Sequence, residues 1–166
     1  MALYASSVEY GLHCLLFLAG RLGQTNASVA DMAELQGISP SFVAKLFTKL
    51  KNAGLVIANE GAGGGYELAR PAERITIWNV IEALEGKKAL FKCTEIRQNC
   101  ALFGASPPAW ATKGVCSIHA VMQEAERRMR ETLSAHTLAD LANRVERKAP
   151  DEFSAGVNAW FERRKK

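Results

Sequence analysis

The chain has no long apolar run, no disulfide-dense cysteine pattern and no strong excess of one charge, and each lack removes a class of protein. Its most apolar stretch, Leu15-Leu16-Phe17-Leu18, falls far short of the roughly 20 residues that a bilayer span needs, and no basic segment precedes it as in a secretory leader. A cytoplasmic protein with no membrane partner is expected. Four cysteines in 166 residues are too few for a cystine-stapled scaffold. In a reducing compartment they read as thiols or metal ligands. The net charge of +4 and pI near 9.0 suit a polyanionic partner, but the charge is spread along the chain. The glycine run Gly61-Ala62-Gly63-Gly64-Gly65 lacks the lysine and hydroxyl of a P-loop and opens no helix, which removes nucleotide binding. There is no internal repeat. Beyond candidate metal ligands no acid, base or nucleophile constellation stands out, so neither an enzyme nor a small-molecule substrate is expected.

What is present is concentrated between Ser28 and Pro71. Ser28 caps a helix whose apolar positions Val29, Met32, Ala33 and Leu35 recur at helical spacing, and Gly37 supplies a left-handed stop. Ser39 caps a second helix with Pro40 at its first position, where a missing N–H costs nothing. Phe42, Val43, Leu46, Phe47 and Leu50 form its apolar stripe, and Gly54 ends it. Strands near Leu55–Asn59 and Tyr66–Ala69 then flank a glycine tip. This is a helix-turn-helix followed by a wing, in which the second helix enters the DNA major groove and the wing meets the backbone or minor groove. Ser39, Ser41, Lys45, Lys49 and Lys51 are candidate contacts on the recognition helix, the lysines mainly to phosphates. At the wing the candidates are Gly63, Gly64, Gly65 and Tyr66, with Arg70 secondary; the glycines supply positive φ and let backbone approach DNA.

Around this unit the pattern predicts a mostly α fold. A first helix is expected from about Ser7 to Leu22, with Val8, Leu12, Leu15, Leu16 and Ala19 buried. Thr76 caps a helix over Ile77–Leu84 that Gly86 stops. From Lys87 to Val115 periodicity fades and Pro107-Pro108 interrupts, and a loop this long in a compact protein is usually functional or disordered. A long helix over Ser117–Ser134 carries Ile118, Met122, Ala125, Met129 and Leu133 along one seam, a spacing suited to a second copy of itself. Thr137 caps a last helix through Leu141 and Val145. The expected organisation is a DNA-binding domain over 1–86, a cysteine-bearing sensor loop over 87–116, dimerisation helices over 117–148 and a basic, mobile tail over 149–166.

Two groups of residues carry chemistry. Glu9 and His13, four apart, share one face of the first helix and could bind a metal or simply pair at the surface. Cys14, on the opposite side, reads as a small core residue. Cys93, Cys100 and Cys116 sit in or beside the aperiodic loop with spacings that fit no zinc-finger template. They suit an iron–sulfur cluster, a thiol switch, or free thiols in a loop, and His119 could join them.

GISPSFVAKLFTKLKNAGLV followed by GAGGGYELARPAERITIWNVIEALEG resembles the winged-helix repressor family that includes the iron–sulfur regulators IscR and NsrR. The likeness runs from the first helix to Thr137-Leu138-Ala139-Asp140-Leu141. It implies a homodimer on a palindromic operator, switched by a cluster. Two ligand patterns within the family compete. The IscR-like one implies Cys93, Cys100, Cys116 and His119 around a [2Fe–2S] cluster, although the second cysteine gap here is longer. SSVEYGLHC and FKCTEIRQ instead resemble the RsrR-like redox sensors, which implies Glu9 and His13 from one subunit with Cys116 and Cys100, or Cys93, from the other. The second pattern is preferred because it uses Glu9 and His13. Mixed ligation implies a higher potential than four thiolates. IscR-like proteins carry Glu-Gln where this chain has Ala44-Lys45, and a wing arginine where it has Glu60, so the operator is expected to differ.

Overall fold

The computed structural model describes residues 3–19, 26–61 and 64–164. It divides into two compact units, one of Met1–Gly86 with Leu133–Lys166 and one of Lys87–Thr132.

The first unit is built on α1 (Ser6–Ala19), which buries Val8, Gly11, Cys14, Leu15 and Leu18. Leu12, Leu16 and Ala19, expected inside, are only half-buried, and the expected extension to Leu22 lies outside the described residues. Next come α2 (Val29–Gln36) and α3 (Pro40–Asn52). The Ser28 hydroxyl accepts the Asp31 N–H at 3.0 Å, and Gly37 closes α2 at φ 65°. Ser39 occupies the cap position of α3 with extended backbone, but its hydroxyl makes no cap bond. It pairs with the Ser41 hydroxyl at 2.7 Å instead, leaving Pro40 to start the helix. Val43, Leu46, Phe47 and Leu50 of α3 are buried.

Strands β1 (Val56–Asn59) and β2 (Gly65–Leu68) form an antiparallel hairpin with Val56 opposite Leu68 and Asn59 opposite Gly65. Ala27 extends it: its N–H donates to the Tyr66 carbonyl at 3.1 Å and its carbonyl accepts the Tyr66 N–H at 2.9 Å. α4 (Ile77–Glu85) starts at a reciprocal Thr76–Asn79 cap and ends at Gly86. α7 (Leu138–Glu146) starts at the same device, Thr137 with Asp140. Donation from the Thr137 N–H, and then from its hydroxyl, holds the Asp140 carboxyl below the usual carboxylate range. The two caps adjoin, because Ile77 N–H donates to the His136 carbonyl and Leu138 N–H to the Ile75 carbonyl, each at 2.9 Å.

The expected mobile tail is instead a helix, α8 (Asp151–Glu162), begun by Pro150 and carrying Val157 and Phe161 into the core. The Phe161 ring meets Phe17 of α1 edge-on at 5.9 Å. The basic terminal residues masked this apolar face in the sequence.

In the second unit, single turns at Ile96–Asn99 and Ala101–Phe103 precede the one-turn α5 (Ala109–Thr112). Arg97 ties the loop together, pairing with Glu95 at 2.8 Å and donating to the carbonyls of Thr112 at 3.2 Å and Gly114 at 2.6 Å. α6 (Ser117–Ser134) follows with the expected limits and buries no residue at all. Its seam is half-buried at Met122 and Met129 and exposed at Ile118 and Ala125, and Val121 beside it is 68% exposed.

A Cβ on Gly11 would overlap the buried Leu84 side chain, so α1 and α4 meet at that glycine. Gly11→Ala is expected to cost about 1–3 kcal/mol as overpacking. Thermal unfolding followed by circular dichroism should show the midpoint falling by about 3–10 °C.

Candidate nucleic-acid interface and sensor residues

The buried stripe of α3 decides which of its side chains face outward. Opposite Val43, Leu46, Phe47 and Leu50 lie Ser41, Lys45, Thr48 and Asn52, spaced i, i+4, i+7, i+11. Apart from half-buried Ala44, the outer surface of the helix is thus polar, with one lysine near its centre. Thr48 and Asn52 were missed by selection on residue type, although counting from Lys45 reaches both. Thr48 donates its hydroxyl to the Ala44 carbonyl at 2.9 Å.

The three lysines separate by position. Lys45 is exposed on the outer face. Lys49 donates to the Leu84 carbonyl at 2.6 Å, satisfying a free acceptor at the end of α4. It therefore acts as a strut between α3 and α4. Lys51 lies on the flank.

At the wing, Gly63 lies outside the described residues. Gly64 donates its N–H to the Gly61 carbonyl at 2.9 Å, and a Cβ there would sit 2.8 Å from the Asn59 carbonyl oxygen. At Gly65 a Cβ would come within 2.6 Å of the Ala27 carbonyl oxygen. Both glycines thus permit close backbone approach within the hairpin itself. The Tyr66 ring packs on Phe47 at 4.9 Å between centroids, seating the wing on α3. Arg70 donates to the Asn79 side chain at 3.2 Å.

The sensor candidates fall in both units. Glu9 and His13 are exposed on α1 and line a groove of about 740 Å³ between α1 and α7. The groove is apolar along Val8, Leu12, Leu16, Leu141 and Val145, with Arg144 and Lys148 on the α7 side. Cys14 is fully buried, and burial pushes its thiol up to about 12, so it is a core residue. Cys116 immediately precedes α6. The backbone N–H groups of His119 and then Ile118, with the nearby Arg97 guanidinium, draw its thiol below the ordinary value, toward thiolate. The Cys93 thiol faces Glu95 at 3.6 Å, Cys100 is exposed between two turns, and the His119 ring lies 5.9 Å from Phe91. Among the described residues, no three histidine, cysteine or acidic side chains come together as a metal site. The donors nevertheless suit a mixed-ligand cluster: a solvent-facing carboxylate and imidazole one turn apart, and a thiol biased toward the ligating form.

A capped two-helix motif seated beside a glycine-tipped wing, with a polar recognition surface, defines a winged-helix DNA-binding transcription regulator. The chain belongs to the Rrf2 family, described as an iron-dependent transcriptional regulator, whose pattern matches residues 4–144. It is 36% identical over 133 residues to the protein rrf2 of Nitratidesulfovibrio vulgaris, covering 80% of this chain and 82% of that one. The solved structure of T. potens IscR is similar at 25% identity with a TM-score of 0.66, covering 90% of this chain and 92% of the other. CymR, the global cysteine regulator of B. subtilis, is similar at 27% identity with a TM-score of 0.62, covering 86% and 98%. The role of the family is regulatory rather than enzymatic. No helix among the described residues is long and apolar enough to cross a membrane.

Lys45→Ala is expected to weaken binding to duplex DNA and to reduce the slope of log affinity against log salt by up to about 1. Lys49→Ala should leave that slope unchanged and lower thermal stability instead. Anisotropy titrations at several salt concentrations, with melting curves alongside, separate the two.

Proposed function

We propose that the chain acts in the cytoplasm as a homodimeric repressor on a palindromic operator, with its affinity set by the redox state or occupancy of a [2Fe–2S] cluster. The observation that carries this reading is the placement of Glu9 and His13, side by side and solvent-facing on the α1–α7 groove. A carboxylate and an imidazole make half of a ligand set, and within one chain no third donor joins them among the described residues. In the proposed arrangement the other half is Cys116 with Cys100, or with Cys93, from the second copy. The single-loop alternative is Cys93, Cys100, Cys116 and His119. The seam of α6 supports dimerisation, since a helix of this length with no buried residue leaves Ile118 and Val121 largely exposed.

The cluster, when bound, supplies a one-electron change of charge at this junction. The protein's part is to hold and transmit it. As cluster ligands a carboxylate and an imidazole donate less negative charge than two thiolates, so with Glu9 and His13 the junction would be less anionic than a four-thiolate site. The N-terminus of α6 favours the Cys116 thiolate. Because α1 packs against both α3 and α4, a shift of α1 reaches the recognition helix directly. Half-sites on a palindrome repeat about every 34 Å, so a small rotation spoils the match.

A second reading, a cluster-free thiol switch, draws on the same lowered Cys116 thiol and on the exposed Cys100. It receives some support from the likeness to CymR, named a cysteine regulator. In that reading two thiols lose two electrons and two protons to an oxidant and become a disulfide.

Protein purified without oxygen should show a visible cluster spectrum with iron and sulfide in equal amounts, and Glu9→Ala with His13→Ala should lose or shift it. An unchanged spectrum in the double variant moves the assignment to the single-loop set. A colourless, iron-free wild type sinks the cluster reading and leaves the thiol switch. Val121→Glu, which places a charge beside the α6 seam, should convert a dimer to monomer in sedimentation experiments; a variant that stays dimeric removes α6 as the interface.

A further inference from the structure

The C-terminal helix lies beyond residues 4–144, the part of the chain that the family pattern matches, yet it is docked on the DNA-binding unit. Val157 and Phe161 anchor it in the core, and Phe161 touches Phe17 of α1. Just past the end of α8, Arg164 reaches back to α2, the first helix of the helix-turn-helix. Its guanidinium contacts Glu34 at 2.7 Å and Asp31 at 3.4 Å. The Trp160 ring stacks beneath that guanidinium at 3.6 Å. The Trp160 N–H is buried without an acceptor among the described residues, so the ring contributes its face here rather than a hydrogen bond.

Asp31 and Glu34 stand three residues apart on one side of α2, away from the buried Met32 and Ala33. In a helix-turn-helix the first helix crosses the DNA backbone. Two carboxylates there repel phosphates at a separation comparable to the Debye length. We infer that α8 belongs to the DNA-binding surface: Arg164 neutralises the acidic side of α2 and so allows the phosphate backbone to approach the helix-turn-helix. A partly exposed ion pair of this kind adds little to folding stability, and its effect falls on the field that the DNA meets. The inference rests on the DNA-binding role of the fold and adds to it a contribution from outside the family's matched region.

A labelled duplex selected from a random pool by the full-length wild type serves as the probe. Arg164→Ala should bind it about three- to tenfold more weakly at about 50 mM salt, and the deficit should shrink at about 200 mM. Arg164→Lys, which keeps the charge, should recover most of the affinity. In an Asp31→Asn, Glu34→Gln background the same Arg164→Ala change should alter binding by less than about twofold, because the charges it screens are gone. Melting curves of all variants should agree within a few degrees. Wild-type affinity in Arg164→Ala would overturn the inference, and so would an equal loss in both backgrounds, which would mark a direct phosphate contact or a purely structural effect. A wild type that selects no duplex would overturn the DNA-binding reading itself, before any variant is compared.

Discussion

The first unit depends on one short stretch of paired backbone, where Thr76 and Thr137 lie side by side in an antiparallel bridge. Each threonine caps the helix that follows it, and the flanking N–H groups of Ile77 and Leu138 donate across to His136 and Ile75. Two helix starts, each with free N–H groups to satisfy, thus share one junction, with fully buried Ile75 and Leu138 beside it. The chain leaves this unit at Gly86 and returns at Leu133, and the bridge is where the return is fixed. From there α7 runs along α1 and forms the second wall of the groove that carries Glu9 and His13.

The recognition helix is constrained by a similar economy. Its buried face meets the core, Tyr66 of the wing packs on Phe47, and Lys49 reaches the open end of α4. An aromatic contact thus helps to join reader and wing, and a charged hydrogen bond, among the stronger kinds available, helps to join reader and α4. The outer face is left with little to do except meet a partner.

Much of this was legible in the sequence where the cause is local. Thr76, Thr137, Ser28 and Gly37 act within a turn of themselves, and all four end or start helices as expected. The limits of α6 followed from its seam. What was not legible depends on which partner a side chain finally takes, and that partner is mostly distant in sequence. Ser39 has the right type and position for a cap, yet the nearby Ser41 hydroxyl takes its hydrogen bond. Lys49 looks like any surface lysine until the end of α4, 35 residues on, supplies its acceptor. Val157, Trp160 and Phe161 of α8 follow helical spacing, but the surface that orders them, Phe17 among it, lies far away in the sequence. The same limit applies to the sensor. Residue chemistry picked out Glu9, His13 and the three loop cysteines, but spacing along one chain cannot say which donors meet when two chains contribute.

Sharing a ligand set between two chains has a thermodynamic consequence that a single-loop site lacks. In the proposed arrangement, the geometry that satisfies the cluster ligands and the geometry that spaces the recognition helices are one quantity, the relation between the two copies. Any free energy by which a redox state favours the operator-competent spacing must be returned when operator binds, since coupling between two sites is reciprocal. A coupling of about 1.4 kcal/mol is a tenfold change in operator affinity, and for a one-electron couple it is also a shift of about 59 mV in potential. The regulator on its operator would therefore respond at a different redox poise from the regulator free in solution. A cluster held by Cys93, Cys100, Cys116 and His119 of one chain is tied less directly to that spacing, because its ligands can be satisfied whether or not the second copy is correctly placed. The choice between the two ligand sets is thus also a choice between a sensor that registers its own occupancy of DNA and one that does so only weakly.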